Sequence, residues 1–389
     1  MQRTPTSPFW PSAFYFLYFG AGSALYPYQA LYFQSIGLGA SQIGLLLALP
    51  PLISLFASPF WTGIADTRHR HLSILTLNIA VAAATIALVP AVAQPAALFI
   101  LMGTYAFFVA PINALADSAT MTMLAGQREM YGRVRLWGAV GWGLLAPLAG
   151  AALNWWGLSW AYWIYAAFFF ANLFIARRLT FPRVASAQAS FTRGIRQLLT
   201  DRHWLVFLGV VMMGGIGLAA VNNYLFLLMN ELGASETLMG ISLTVSTLSE
   251  IPVMFFGHRL LKRMGSSGLM ALSLGIIGLR SILFFLADSP VTIILIQVLH
   301  GFTFPSLWLA GVKYAADHAP AGLDATAQGL LGMMMWGVGT SLGGLLGGIL
   351  NGQVGVSAMF AITGGVVWVG LAVFLLANRV IAAPASKSL

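Results

Sequence analysis

Twelve apolar segments, each close to the length that crosses a bilayer, are separated by short polar gaps, and the cations occupy only every second gap. A membrane-spanning helix needs about 20 mostly apolar residues. Of the 19 Lys and Arg residues, all but Arg280 lie in one alternating set of gaps or at its margins. Cytoplasmic loops retain Lys and Arg, so the gaps holding Arg68, Arg70, Arg128, Arg133, Arg177, Arg178, Arg259, Lys262, Arg263 and Arg379 are expected to face the cytoplasm. The opposite gaps carry only Glu231, Glu236 and Asp288. An even number of spans returns both termini to the cytoplasmic side.

This pattern excludes whole classes of function. With 59% hydrophobic and 7% charged residues and a mean hydropathy of +0.85, the chain needs lipid as its solvent. The net charge of +9 sits in short loops, where topology and anionic headgroups account for it, so no nucleic-acid partner is expected. The absence of Cys removes disulfides and thiolate chemistry, and five of the six His lie in loops or at helix ends. No metal, cofactor or enzymatic activity is expected. The N-terminal residues lack the features of a cleaved secretory signal, so the first apolar segment reads as a retained helix.

The fold class is therefore an all-α membrane protein with twelve transmembrane helices in two six-helix halves. The longest polar stretch divides residues 1–178 from 204–389, and residues 179–203 read as a cytoplasmic central loop with a short amphipathic helix around Ile195 to Leu199. Small residues mark close helix contacts, with Gly339, Gly343 and Gly347 on span 11 and Gly138 and Gly141 on span 5. Pro27, Pro111, Pro252 and Pro305 are expected to interrupt helices near polar positions.

The loops after spans 2 and 8, TGIADTRHRH and GHRLLKRMG, occupy equivalent places in the two halves and form a weak internal repeat. An Asp at the cytoplasmic end of a span can accept from Arg side chains and from the amides of a neighbouring helix, which makes Asp66 with Arg70 a candidate conformational latch. This loop, the 6+6 plan and the long central loop together resemble the major facilitator superfamily. Thr62, Gly63, Asp66, Arg70 and His71 fall on that family's loop motif, although the first Gly is displaced and one basic position is His69.

Ionisable groups inside a bilayer are costly and are functional candidates by default. At about 1.5 Å per residue, Glu250, His300 and Arg280 lie roughly 18, 15 and 10 Å below the outer ends of spans 8, 10 and 9. They could meet near the midplane, where an acid, an imidazole and a guanidinium would tune one another and carry a proton. The alternative is a static pair of Glu250 with Arg280.

The run YGRVRLWGAVGW, from Tyr131 to Trp142, resembles the start of helix 5 in the lactose-permease branch of the superfamily. Asp117 precedes it at the spacing of that branch's sugar-binding acid. The resemblance implies that Asp117 and Arg135 form a charge pair gripping substrate hydroxyls, with Trp142 as an aromatic platform. The tokens YGRVRLWG and QVLHGFTF resemble the phenylpropionate-permease branch equally well. There are also departures. Thr303 stands where the lactose-permease branch has its proton-carrying Glu, which passes that role to Glu250. Gln297, Trp336 and the pair Asn222 and Asn223 replace its further charges, and both members of each charge pair are gone together. Tyr28, Trp336, Asn222 and Asn223 complete the candidate substrate contacts, through ring stacking and neutral hydrogen bonds.

Together these features predict a monomeric, proton-coupled symporter of a bacterial-type cytoplasmic membrane. It would import a small organic solute by alternating access, with the proton gradient in place of a cofactor. A sugar or glycoside is favoured; an aromatic carboxylate, a nucleoside or efflux of lipophilic compounds are the alternatives.

Overall fold

In hydrocarbon every backbone polar group must be satisfied within the chain, and a helix does so segment by segment. The computed structural model describes residues 7–92, 94–124, 127, 130–181, 198–320 and 323–382, which are helical with no strand among them. The expected amphipathic helix of the central loop lies mostly outside the described residues. Contacts divide the chain into two compact units: Met1–Ser186 with Asn223–Thr247, and Ala187–Asn222 with Leu248–Leu389.

The first unit opens with α1 (Phe9–Leu25), a 3-10 turn at Tyr26–Tyr28 and α2 (Gln29–Ser35). Then follow α3 (Ala40–Arg68), α4 (His71–Leu88), α5 (Pro95–Val109), α6 (Ile112–Met123), α7 (Tyr131–Trp156) and α8 (Trp160–Ala176). The ends of two later helices, residues 223–247, complete it. The second unit is built from the rest of α9 (Arg202–Glu231) and α10 (Glu236–Phe285), with α11 (Pro290–Ile296), α12 (Phe304–His318), α13 (Asp324–Gly332) and α14 (Thr340–Ala382). A 3-10 stretch, Gln297–Phe302, joins α11 to α12, and a π-helical stretch, Met333–Gly339, joins α13 to α14.

Among the described residues, eight helical stretches are long and apolar enough to cross a membrane. Two of them run to 50 and 52 residues, too long for one crossing. Each contains a glycine with left-handed backbone, Gly265 at φ 68° and Gly355 at φ 83°, a conformation that glycine adopts without a Cβ clash. The count of twelve spans treats each of these as two, and adds Phe9–Ser35 and Trp160–Ala176.

The prolines act unequally. Pro27 lies in the 3-10 turn of span 1, Pro111 lies between α5 and α6, and Pro305 sits in the first turn of α12, where its missing N–H costs nothing. Pro252 departs from expectation, because α10 runs through it without a break. Within the first unit α1 and α7 approach so closely that a Cβ on Gly141 would stand 2.1 Å from the Phe16 carbonyl oxygen. That contact fixes the register of α1 against α7, and with it the positions of Tyr15, Phe19 and Arg135.

Candidate functional site

In the second unit, Gln297, His300 and Thr303 occur every third residue. An α-helix would fan them around its axis, but a 3-10 helix has three residues per turn and stacks i and i+3 in line. Because Gln297–Phe302 is 3-10, the three side chains share one edge. Arg280, on α10 and only 1% exposed, faces that edge. Its guanidinium donates to Gln297 Oε1, to His300 Nδ1 at 3.1 Å and to Thr303 Oγ1 at 3.2 Å, and lies over the Phe284 ring.

An arginine only donates, so His300 Nδ1 is an acceptor and the ring proton sits on Nε2. That nitrogen stands 2.9 Å from Glu250 Oε1 and donates to it. Glu250 and His300 are 21% and 14% exposed in their side chains, so the acid end of the chain is its most open point. A second contact holds the acid there. The Gly301 amide donates to Ser249 Oγ, and a Cβ on Gly301 would meet the Ser249 carbonyl oxygen at 2.1 Å. The sequence neighbours Ser249 and Glu250 are thus seated against Gly301 and His300. The three residues expected to meet do meet, joined through the imidazole rather than as a direct Glu250–Arg280 pair.

In the first unit the expected Asp117–Arg135 pair does not form. Asp117, half-buried on α6, accepts at Oδ1 from the Tyr15 hydroxyl at 2.5 Å and from the Tyr131 hydroxyl at 2.9 Å, and at Oδ2 from Asn113 at 3.2 Å. Arg135 instead stacks on aromatic faces, its guanidinium carbon 3.9 Å from the Phe19 centroid and 5.1 Å from that of Tyr15. The physical reason is the supply of neutral donors. Three of them ring the carboxylate, while Phe19 offers the cation a π face. Gly138 permits the stack, since a Cβ there would lie 2.7 Å from both Arg135 Nη1 and Phe19 Cδ2. Trp142, one turn further along α7 and half-buried, lies against Gly22 of α1 beside Tyr26.

Two further expectations are corrected. Tyr28 is fully buried, its hydroxyl donates to the Glu236 carbonyl at 2.9 Å, and its ring packs on Phe226, so the structure places it in helix packing rather than at an open face. In the loop after α3 the partner of Asp66 is His71, at 2.8 Å, and not Arg70; among the described residues no Asp66–Arg70 ion pair occurs. His69 adopts φ 51° and turns the chain into α4, which leaves Arg70 exposed and brings His71 inward against Phe181.

Asn222 is exposed and Asn223 half-buried. Trp336 lies in the π-helical stretch, 39% exposed, with Phe304 and Trp308 against it in an aromatic cluster.

The sequence reading missed Tyr15 and Tyr131 and recorded Gln297 and Thr303 only as departures. Signals existed. Asn113 precedes Asp117 by one helical turn, as Tyr131 precedes Arg135, and the period of three in QVLHGFT becomes meaningful once that segment is 3-10.

The architecture has solved counterparts. The chain superposes on the nucleoside transporter NupG with a TM-score of 0.84 at 18% identity, over 96% of this chain and 99% of that one. In sequence it is 27% identical over 375 residues to a maltose permease of Geobacillus stearothermophilus, covering 93% of this chain and 92% of the relative. It is 25% identical over 328 residues to a probable 3-phenylpropionic acid transporter of Escherichia coli (strain K12), covering 79% and 82%. The family model described as "MFS_1 like family" matches residues 9–362. The chain therefore belongs to the MFS_1 like family, and is a multi-pass membrane transporter of the major facilitator type, not an enzyme.

Proposed function

We propose that this transporter is a proton-coupled symporter that imports a small organic solute by alternating access, with Glu250, His300 and Arg280 handling the proton and Asp117, Arg135 and Trp142 contacting the solute. The observation that carries the reading is the continuous chain from the Arg280 guanidinium through the His300 imidazole to the Glu250 carboxylate. A buried guanidinium needs a compensating charge, and the only carboxylate within reach of this chain among the described residues is at its open end. Protonating Glu250 removes that compensation, and losing the proton restores it. The energy of the guanidinium thus becomes sensitive to one proton, which is what coupling to a gradient requires.

The names of the relatives, a maltose permease and a probable 3-phenylpropionic acid transporter, support a small organic solute as cargo. The basic loops support a cytoplasmic location for both termini, in a bacterial cytoplasmic membrane. The Asp66–His71 contact is the candidate latch at the cytoplasmic end of α3.

The test is uptake by proteoliposomes under an imposed pH gradient. Wild-type protein should accumulate solute uphill, and a protonophore should abolish that accumulation. Glu250→Gln should retain exchange of internal for external solute while losing uphill accumulation. Normal accumulation by that variant removes Glu250 from the mechanism.

A further inference from the structure

Resting on the reading of Asp117, Arg135 and Trp142 as the solute group, we propose that the solute is an organic anion, a monocarboxylate with an apolar or aromatic body, whose carboxylate is received by Arg135. The two charged groups of the first unit stand in opposite states. Both carboxylate oxygens of Asp117 accept from donors of the protein itself, Tyr15, Tyr131 and Asn113. Arg135 carries five N–H donors in a planar fork, and among the described residues no carboxylate pairs with it and no hydrogen bond from it is found. Among the described residues its guanidinium lies on the Phe19 and Tyr15 ring faces, which meet the charge but accept none of the in-plane N–H groups, and the Asp117 carboxylate acts on it through charge without a hydrogen bond.

Arg133, at the exposed start of the same helix, likewise has no carboxylate partner and reaches only the Met130 sulfur, but two other cations of the spans and their margins are matched. Arg280 is matched by Gln297, His300 and Thr303, and Lys313 pairs with Asp317. A neutral sugar would bring Arg135 hydroxyls that donate as readily as they accept. A carboxylate brings two acceptor oxygens in the geometry of the fork and a charge of the required sign.

The surroundings suit the remainder of such a molecule. Arg135 and Trp142 are spaced i and i+7 on α7, on one face and about 10 Å apart along the axis. Phe19 of α1 and Tyr26 of the 3-10 turn that follows it stand alongside, and all four side chains are half-buried. An anion at one end and a ring face at the other define a short amphipathic acid.

Charge conservation gives the test. A monoanion entering with one proton moves no net charge, whereas a neutral sugar entering with one proton moves one positive charge inward. Proteoliposomes are given either an alkaline interior or an interior-negative potassium diffusion potential. The probes are 3-phenylpropionate, its uncharged amide, and maltose, each corrected for protein-free vesicles. The expected result is 3-phenylpropionate uptake driven by the pH gradient and indifferent to the potential, with neither neutral probe transported. In calorimetric titration of the purified protein, Arg135→Gln should weaken 3-phenylpropionate binding by about tenfold or more and Arg135→Lys by less. Arg133→Gln, at the exposed cation two residues earlier on α7, should leave binding unchanged.

Maltose uptake driven by both gradients, with affinity untouched by Arg135→Gln, overturns the anion and leaves proton coupling standing. Carboxylate binding that depends on Arg135, with uptake blind to both gradients, supports the anion and overturns proton coupling instead. Failure of a panel of aliphatic and aromatic monocarboxylates to bind the wild type, or equal binding of acid and amide, overturns the proposal outright.

Discussion

The two polar groups of this transporter start from similar residues, an acid and an arginine in each, and are wired in opposite ways. In the second unit the acid and the arginine are joined in series through His300, every link a direct hydrogen bond, and the arginine is sealed from solvent. In the first unit Asp117 is satisfied by hydroxyls and an amide while Arg135 rests on aromatic rings. The difference teaches how charge is kept inside a membrane. A closed chain makes each member depend on the next, which suits a group that must register one proton. An open arrangement leaves one member with spare capacity, which suits a group that must bind and release a solute.

The contrast is broken most severely at Arg280. Arg280→Ala should strand Gln297, His300 and Thr303 in a buried space and remove the charge that faces Glu250. A loss of about 3–5 kcal/mol is expected, read as a large fall in melting temperature together with loss of uphill transport. A stable variant with normal accumulation would show that the chain is dispensable.

Gly301→Val comes next. Its Cβ would meet the Ser249 carbonyl oxygen at 2.1 Å and force the Glu250 segment away from His300. Overpacking of this kind costs about 1–3 kcal/mol, and a drop in thermal stability with impaired coupling is the expected outcome.

Asp117 sharpens the comparison. In Asp117→Asn one amide oxygen can still accept from Tyr15 and Tyr131, so stability should change little. In Asp117→Leu the Tyr131 hydroxyl and the Asn113 amide lose their acceptor and Tyr15 keeps only Thr120 Oγ1, at a cost of about 1–3 kcal/mol. Equal melting temperatures for the two variants would argue against the hydroxyl ring.

Gly138→Ala should push the guanidinium off Phe19 and weaken solute binding several-fold with a small change in stability, as measured by titration and melting. The smallest effects belong to the loop after α3. Arg70→Ala, exposed and without a partner among the described residues, should stay within about 0.5 kcal/mol of wild type. His71→Ala removes the contact with Asp66 and should show the larger change in melting and in transport rate; the reverse ranking would return Arg70 to the latch.

Much of this was legible in the sequence. Arg280 and Glu250 stood out because a charge within about 20 apolar residues is rare and must be compensated, and depth counting alone put them within one or two helical turns of His300. Asp117 and Arg135 stood out by resemblance, yet their partners did not. Tyr15 lies 102 residues from Asp117, and nothing in a local pattern says which of many tyrosines will place its hydroxyl there. Tyr28 misled for the same reason: an aromatic beside a proline reads as a cavity residue until the Glu236 carbonyl is found against its hydroxyl.

Hydropathy and the distribution of cations determined that this chain is a helical, multi-spanning membrane protein, because the transfer cost of charge and of unpaired backbone acts on each segment separately and needs no knowledge of its neighbours. The partner of each buried charge was decided only by tertiary structure. A hydrogen bond is set by tenths of an ångström, and those depend on how one helix turns against another, on a 3-10 stretch that lines up Gln297, His300 and Thr303, and on glycines such as Gly138 and Gly301 that let side chains and backbones approach.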